Sequence, residues 1–206
     1  MKFIILFRHF PTTDDVDNIY TSHNAKVSFA PLQMKLIENA QSQLFQFLDK
    51  NNIRQAFCSD NYRGIETAEM ILKKIRLEVE LKIDHGLSNI LQPEWSGLHQ
   101  IDVQNTEQYK TWHIEPKKVK FSNGESLFDV ENRIELLLQK IDSNGALLIS
   151  HTTPMQVILC KLLKIDLNRI WAFKFDHYSF TIIANDILLR YNARSINDVN
   201  LKELRY

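Results

Sequence analysis

No stretch of this sequence is both long and apolar enough to span a bilayer, so no transmembrane helix is expected. The opening run from Met1 to Phe7 is too short for a secretory signal, and Arg8-His9 stops it. A cytoplasmic protein is the default expectation. Cysteine is scarce: Cys58 and Cys160 have no metal-ligand spacing and read as two buried free thiols. Neither sign of charge is in excess, since 25 basic and 25 acidic side chains give a formal net charge of zero. That balance argues against bulk nucleic-acid or membrane-surface binding as the main role, while leaving room for a local basic pocket. Internal repeats, low-complexity tracts and clear linkers are missing as well.

What is present fits one folded domain of 206 residues, 44% hydrophobic and 24% charged. A chain of this size needs no disulfide or metal staple. Phe3–Phe7 is a continuous apolar run and reads as a buried strand of a parallel sheet. Arg8 to Ala30 reads as a long irregular loop, and loops of that length inside a domain are usually functional. Helical spacing follows from Leu32 to Leu48, with Pro31 suited to a first turn. Gln55–Ser59 reads as a strand, Asn61–Ile75 as a helix and Glu78–Ile83 as a strand.

The span 84–123, with two tryptophans and two prolines, reads as a lid-like insertion over the site, holding a helix near Thr106–His113. Ser126-Leu127-Phe128-Asp129 is a capping-box pattern opening a helix to about Ile141. Ala146–Ser150 reads as a buried strand, and Pro154 fits the first turn of a helix through Leu163. Ala172–Phe175, Tyr178–Ala184 and Ile187–Tyr191 read as strands, with Asn185-Asp186 turning between the last two. The alternation implies an α/β fold: a three-layer α/β/α sandwich with a mostly parallel central sheet and an antiparallel C-terminal strand.

Ligands of open α/β sheets sit beyond the carboxyl ends of the strands. Three such ends carry Arg8-His9, Ser59-Asp60 with Arg63 in the next turn, and Ser150-His151. A neutral imidazole attacks phosphorus well. Two guanidiniums neutralise the oxygens of a transferring phosphoryl group, and a second imidazole donates to them as charge develops. Backbone amides at a helix start, here around Thr152, add to this. Such a set calls for no metal and no other cofactor, and its implied partner is a small phosphorylated substrate. A lone histidine after a strand is more often structural, so the weight rests on the set and its order.

Leu6-Phe7-Arg8-His9-Phe10, Ser59-Asp60-Asn61-Tyr62-Arg63-Gly64-Ile65-Glu66-Thr67-Ala68, Gly124-Glu125-Ser126 through Arg133, and Ser150-His151 follow one another along most of the chain. In these motifs the sequence resembles the histidine phosphatase superfamily, also described as phosphoglycerate-mutase-like. The resemblance implies His9 as a phosphorylated nucleophile, with Arg8, Arg63 and His151 around the phosphate and Thr12 assisting. Thr67 and Ala68 would pack or cap a helix. It implies a phosphatase of small phosphorylated molecules. A phosphoglycerate-type mutase is the alternative, although mutases of the family tend to be longer.

The resemblance breaks at the general acid. In Leu87-Ser88-Asn89-Ile90-Leu91-Gln92-Pro93-Glu94-Trp95-Ser96-Gly97, the family glutamate position holds Asn89, which cannot deliver a proton. Losing a general acid costs about 10²–10⁴-fold in rate. Glu94 standing in, a substrate with a good leaving group, and a catalytically weak phospholigand-binding protein are the three readings left open. Phe10 replaces a family glycine, and Asp15 a family asparagine, where a carboxylate would repel a dianion unless Asn18 or another donor compensates. Trp95, His99, Tyr109, Trp112 and His113 either line a substrate pocket or pack the insertion onto the core. His23, His85 and His177 read as surface or structural. Lys117, Lys118 and Lys120 read as a solvated cluster.

Overall fold

In the computed structural model, residues 1–196 are described apart from Asn24, Lys74 and Arg76. Six strands form one sheet: β1 (Phe3–Arg8), β2 (Gln55–Cys58), β3 (Glu80–Ile83), β4 (Gly145–Ser150), β5 (Phe180–Ala184) and β6 (Ile187–Ala193), in the order β3-β2-β4-β1-β5-β6. The β1/β4, β2/β4 and β2/β3 pairs are parallel; β5 runs antiparallel to both β1 and β6. β1 and β4 lie at the centre and are covered on both faces, which is why they carry apolar side chains almost throughout. Gly145 opens β4 at φ +103°, and any Cβ there would collide with the Phe3 backbone, so glycine sets how closely the two central strands start.

The helices are α1 (Thr13–Asp17), α2 (Met34–Lys50), α3 (Tyr62–Leu72), α4 (Gln100–Val103), α5 (Glu107–Ile114), α6 (Leu127–Gln139) and α7 (Thr152–Leu162). Two apolar clusters lie on opposite faces of the sheet. One joins α2 and α3 to Phe3, Ile5 and Phe7; the other joins α6, α7 and residues of the span 84–123 to Ile4 and Leu6. Strict alternation along β1 therefore feeds two cores, giving helix, sheet and helix layers. Among the described residues no helix is long and apolar enough to cross a membrane.

Several expected boundaries shift. The 8–30 stretch contains α1, capped by Thr12 and Asp15 in a capping box. α2 starts at Met34, after Pro31 rather than around it, and α3 stops at Leu72. The expected strand at Ala172–Phe175 does not form. A 3₁₀ helix occupies Leu167–Ala172, and the carbonyls beyond it accept from side chains: Phe173 from Gln156 and Phe175 from Arg8. The capping box at Ser126 and Asp129 forms, with Ser126 Oγ accepting from the Asp129 amide.

Candidate active site

Arg8 is the last residue of β1, Ser59 follows β2, and His151 follows β4. The ladder continues one step past the strands: the His9 amide donates to Ser150 O at 3.0 Å and the Ser59 amide to Ile149 O at 3.1 Å. Three chain segments are thereby locked in register where their side chains leave the sheet. The His9 and His151 rings stand 4.9 Å apart, centroid to centroid.

His9 is held in one tautomer. Its Nδ1–H donates to the Phe10 carbonyl at 2.7 Å, which leaves the Nε2 lone pair free. The Phe10 amide donates to Thr67 Oγ1 at 2.9 Å, and Thr67 Oγ1 donates to Arg63 O at 2.7 Å. Thr67 thus ties the nucleophile loop to the helix that carries Arg63. The bulky Phe10 ring turns away from the site into the core, beside Phe7, Phe29 and Tyr178. Its backbone is not left-handed, so the missing family glycine costs no strain. His177 packs on His9 from the other side, its Nδ1–H donating to His9 O at 2.7 Å.

Ser59 Oγ and His151 Nε2 are 2.8 Å apart, both buried. His151 Nδ1, Arg63 Nη1 and Arg8 Nε are buried polar atoms with no hydrogen-bond partner among the described residues. Arg8 is steered by its other nitrogens: Nη1 donates to Phe175 O at 3.0 Å and Nη2 to Asp15 Oδ1 at 2.7 Å. Asp15 Oδ2 accepts from the Thr12 amide at 2.9 Å and from Thr12 Oγ1 at 2.7 Å.

Burial pushes the His9 imidazole well below its usual pKa, Asp15 opposing and Arg63, Arg8 and His177 reinforcing. Burial does the same to His151, with Arg63, His9 and Arg8 adding to it. Both rings are neutral at neutral pH, as a nitrogen nucleophile must be. Arg63 is pushed down to about 10 by burial and stays a cation. Burial alone would raise the Asp15 carboxyl, but His9, Arg8 and the Thr12 bonds outweigh it and hold Asp15 ionised.

A cavity of about 400 Å³ opens on these groups. Its inner end is lined by Arg8, His9, Arg63, His151 and Thr152, and its outer part by Asn89, Gln92, Tyr20, Tyr109, Trp112, His113 and Trp171. Asn89 sits on a loop gripped from beneath. Arg133 Nη1 donates to Gly86 O at 2.8 Å, its Nη2 to Ser88 O at 2.7 Å, and its Nε to Glu125 at 2.8 Å. The Asn89 amide donates to Asn61 Oδ1 at 2.9 Å. The asparagine is thus held where it lines the pocket.

Six of the residues picked from sequence meet here: Arg8, His9, Arg63, Asn89, His151 and Thr152. Two do not. Glu94 does not reach the pocket; its Oε1 accepts from the Ser122 amide at 2.6 Å on the exposed side. Thr12 is fully buried, absent from the lining, and occupied in capping α1 with Asp15. Asp15 does line the pocket, but as the ion-pair partner of Arg8. Sequence reasoning assigned no role at the site to His177, because nothing in its neighbourhood signals that the chain returns to His9. Ser59 was recognisable as a strand end and as the first residue of the motif that carries Arg63, without a role for its side chain.

Residues 4–187 match the model of the histidine phosphatase superfamily (branch 1). Phosphoserine phosphatase 1 of Hydrogenobacter thermophilus is 30% identical over 164 residues, covering 72% of this chain and 74% of the relative. The adenosylcobalamin/alpha-ribazole phosphatase of Escherichia coli is 23% identical over 184 residues, covering 86% and 87%. Among solved structures, a putative alpha-ribazole-5'-P phosphatase from Escherichia coli superposes with a TM-score of 0.78 at 20% identity, covering 95% of this chain and 98% of that one.

Proposed function

The chain belongs to the histidine phosphatase superfamily (branch 1), and from that premise we propose that it hydrolyses small phosphate monoesters through a phosphohistidine on His9. The observation that carries the reading is the tautomer lock: His9 Nδ1–H donates to Phe10 O, leaving Nε2 open. That nitrogen attacks phosphorus as the bond to the leaving oxygen breaks. Arg8, Arg63 and His151 meet the charge on the equatorial oxygens, together with the amide end of α7 at Thr152. Water then attacks the phosphohistidine, releasing phosphate and restoring the imidazole.

The leaving oxygen must be protonated, and Asn89 has no proton to give. Glu94 is engaged with Ser122, outside the pocket. Both points favour substrates whose leaving group departs without help, such as acyl or aryl phosphates. Two relatives, phosphoserine phosphatase 1 and adenosylcobalamin/alpha-ribazole phosphatase, are named for small phosphorylated substrates. The span 84–123 supplies much of the outer wall of the pocket, beside Tyr20 and Trp171, and serves as its lid. The test is single-turnover labelling with a phosphate-labelled aryl phosphate. An acid-labile, base-stable phosphoenzyme is expected in the natural chain and none in His9→Ala. Undiminished turnover in His9→Ala would end the mechanism.

One observation favours a second reading. Asp15 already occupies Arg8, so an incoming dianion meets a carboxylate. A protein that binds phosphorylated ligands with little turnover would show phosphate binding but no release from any ester.

A further inference from the structure

Beside the pocket, but outside it, three side chains from three different segments converge. His23 comes from the 8–30 stretch, Asp60 from the turn between β2 and α3, and His85 from the 3₁₀ turn His85–Leu87. One potential ligand atom from each lies within 4.8 Å of the other two. His85 Nδ1 is 3.0 Å from Asp60 Oδ2, and His23 Nε2 is 3.7 Å from Asp60 Oδ1.

We propose that His23, Asp60 and His85 form a binding site for one zinc-class transition-metal ion. Two imidazoles and a carboxylate are a borderline-soft donor set that suits Zn²⁺, Co²⁺ or Ni²⁺ and discriminates against Mg²⁺ and Ca²⁺. The spacing is close to what a tetrahedral ion needs. Ligand atoms about 2.0–2.2 Å from zinc stand a little over 3 Å from one another, so only His23 has to move appreciably. Three protein ligands leave one position for water.

Without an ion the His85 Nδ1–H donates to Asp60 Oδ2; the ring is largely exposed, so on binding its proton resides on Nε2 in water and Nδ1 turns its lone pair to the ion. Part of the outer shell is in place: Ser88 Oγ donates to Asp60 Oδ1 and Asn61 Nδ2 donates to His23 O at 2.7 Å, while His23 Nδ1 has no hydrogen-bond partner among the described residues. Asn61 is the same residue whose Oδ1 holds the Asn89 amide. A bound ion would therefore staple the loop carrying His23 to the rim of the pocket at Asn89, without entering the phosphoryl site.

The test is equilibrium dialysis of the metal-stripped full chain against Zn²⁺, with Co²⁺ absorption as a second readout. One Zn²⁺ per chain is expected, and intense visible d–d bands from Co²⁺. Loss of outer-shell partners already costs about 10–100-fold in metal affinity, so His85→Gln and Asp60→Asn should each weaken binding by at least that much. His85 is exposed, so its variant keeps the fold, and His99→Ala serves as a control for nonspecific histidine binding. No stoichiometric binding, binding unchanged in His85→Gln and Asp60→Asn, or binding lost only in His9→Ala and His151→Ala would each overturn the site.

Discussion

At the scale of single residues, the decisive position is Asn89. It lines the pocket where a proton donor is expected, and its loop is held by Arg133 and Asn61 rather than left to adapt. On the proposed mechanism the deficiency is chemical, not positional. Asn89→Glu is expected to raise hydrolysis of alkyl phosphates by about 10²-fold, the lower end of what a general acid supplies, with little gain on p-nitrophenyl phosphate. Paired kcat/KM measurements on the two ester classes check this, and equal gains on both would show that the side chain does something other than protonate. This substitution was legible in the sequence, because the neighbouring Leu87, Trp95 and Gly97 fix the alignment. The fate of Glu94 was not: that its carboxylate caps the Ser122 amide depends on a turn of chain that no local pattern announces. Asp15 was legible as an anomaly; what the sequence did not show is that its partner is Arg8.

At the scale of elements, the site depends on how closely α3 approaches the end of β2. Gly64, in the first turn of α3, faces Ser59 so tightly that a Cβ would strike Ser59 Oγ. Ser59 Oγ in turn holds His151 Nε2. Gly64→Ala should therefore act on the second imidazole through Ser59. It should destabilise by about 1–3 kcal/mol, as overpacking does, and lower kcat. In a Ser59→Ala background the collision with Oγ is gone and the tight contacts with Cβ at 3.3 Å and O at 3.4 Å remain, so Gly64→Ala should cost less there. A double-mutant cycle on urea midpoints and kcat checks the coupling, and strict additivity would refute it. Helices with caps or strong periodicity, such as α6 with Ser126 and Asp129, were readable in advance. The failure at Ala172–Phe175 has a specific origin. Its apolar residues suit a strand, but its carbonyls are taken by Gln156 and Arg8, partners far away in sequence.

At the scale of the whole molecule, the architecture was legible because hydrophobicity alone separates the covered central strands from the half-exposed flanks. What sequence could not supply was the electrostatic consequence of folding two imidazoles into one buried site. His9 and His151 have depressed pKa values in the fold, mainly through burial, and His177 and His23 shift the same way. The unfolded chain takes up these protons below about pH 6.5, and the folded chain resists. Below that point the unfolded state binds more protons, so stability falls with falling pH. The slope is at most about 1.4 kcal/mol per pH unit for each imidazole, and the loss ends at the folded pKa. The slope fades over about one pH unit above 6.5, as the unfolded imidazoles lose their protons. Urea midpoints between about pH 7.5 and 5.5 should fall in the natural chain and fall less steeply in a His9→Gln, His151→Gln double variant. Asp15, whose folded pKa is depressed, loses its contribution only in more acidic solution.

The three tryptophans have a practical bearing. Trp112 and Trp171 meet edge to face at the mouth of the cavity, the Trp171 indole N–H donating to Trp112 O at 2.8 Å, and Trp95 lies against Tyr20 and Phe121 nearby. None is in the sheet. Intrinsic fluorescence from this chain is therefore a local gauge of the cavity's outer wall, while far-ultraviolet dichroism gauges the backbone, and an equilibrium melt followed by both optical signals separates loosening of the wall from collapse of the sheet.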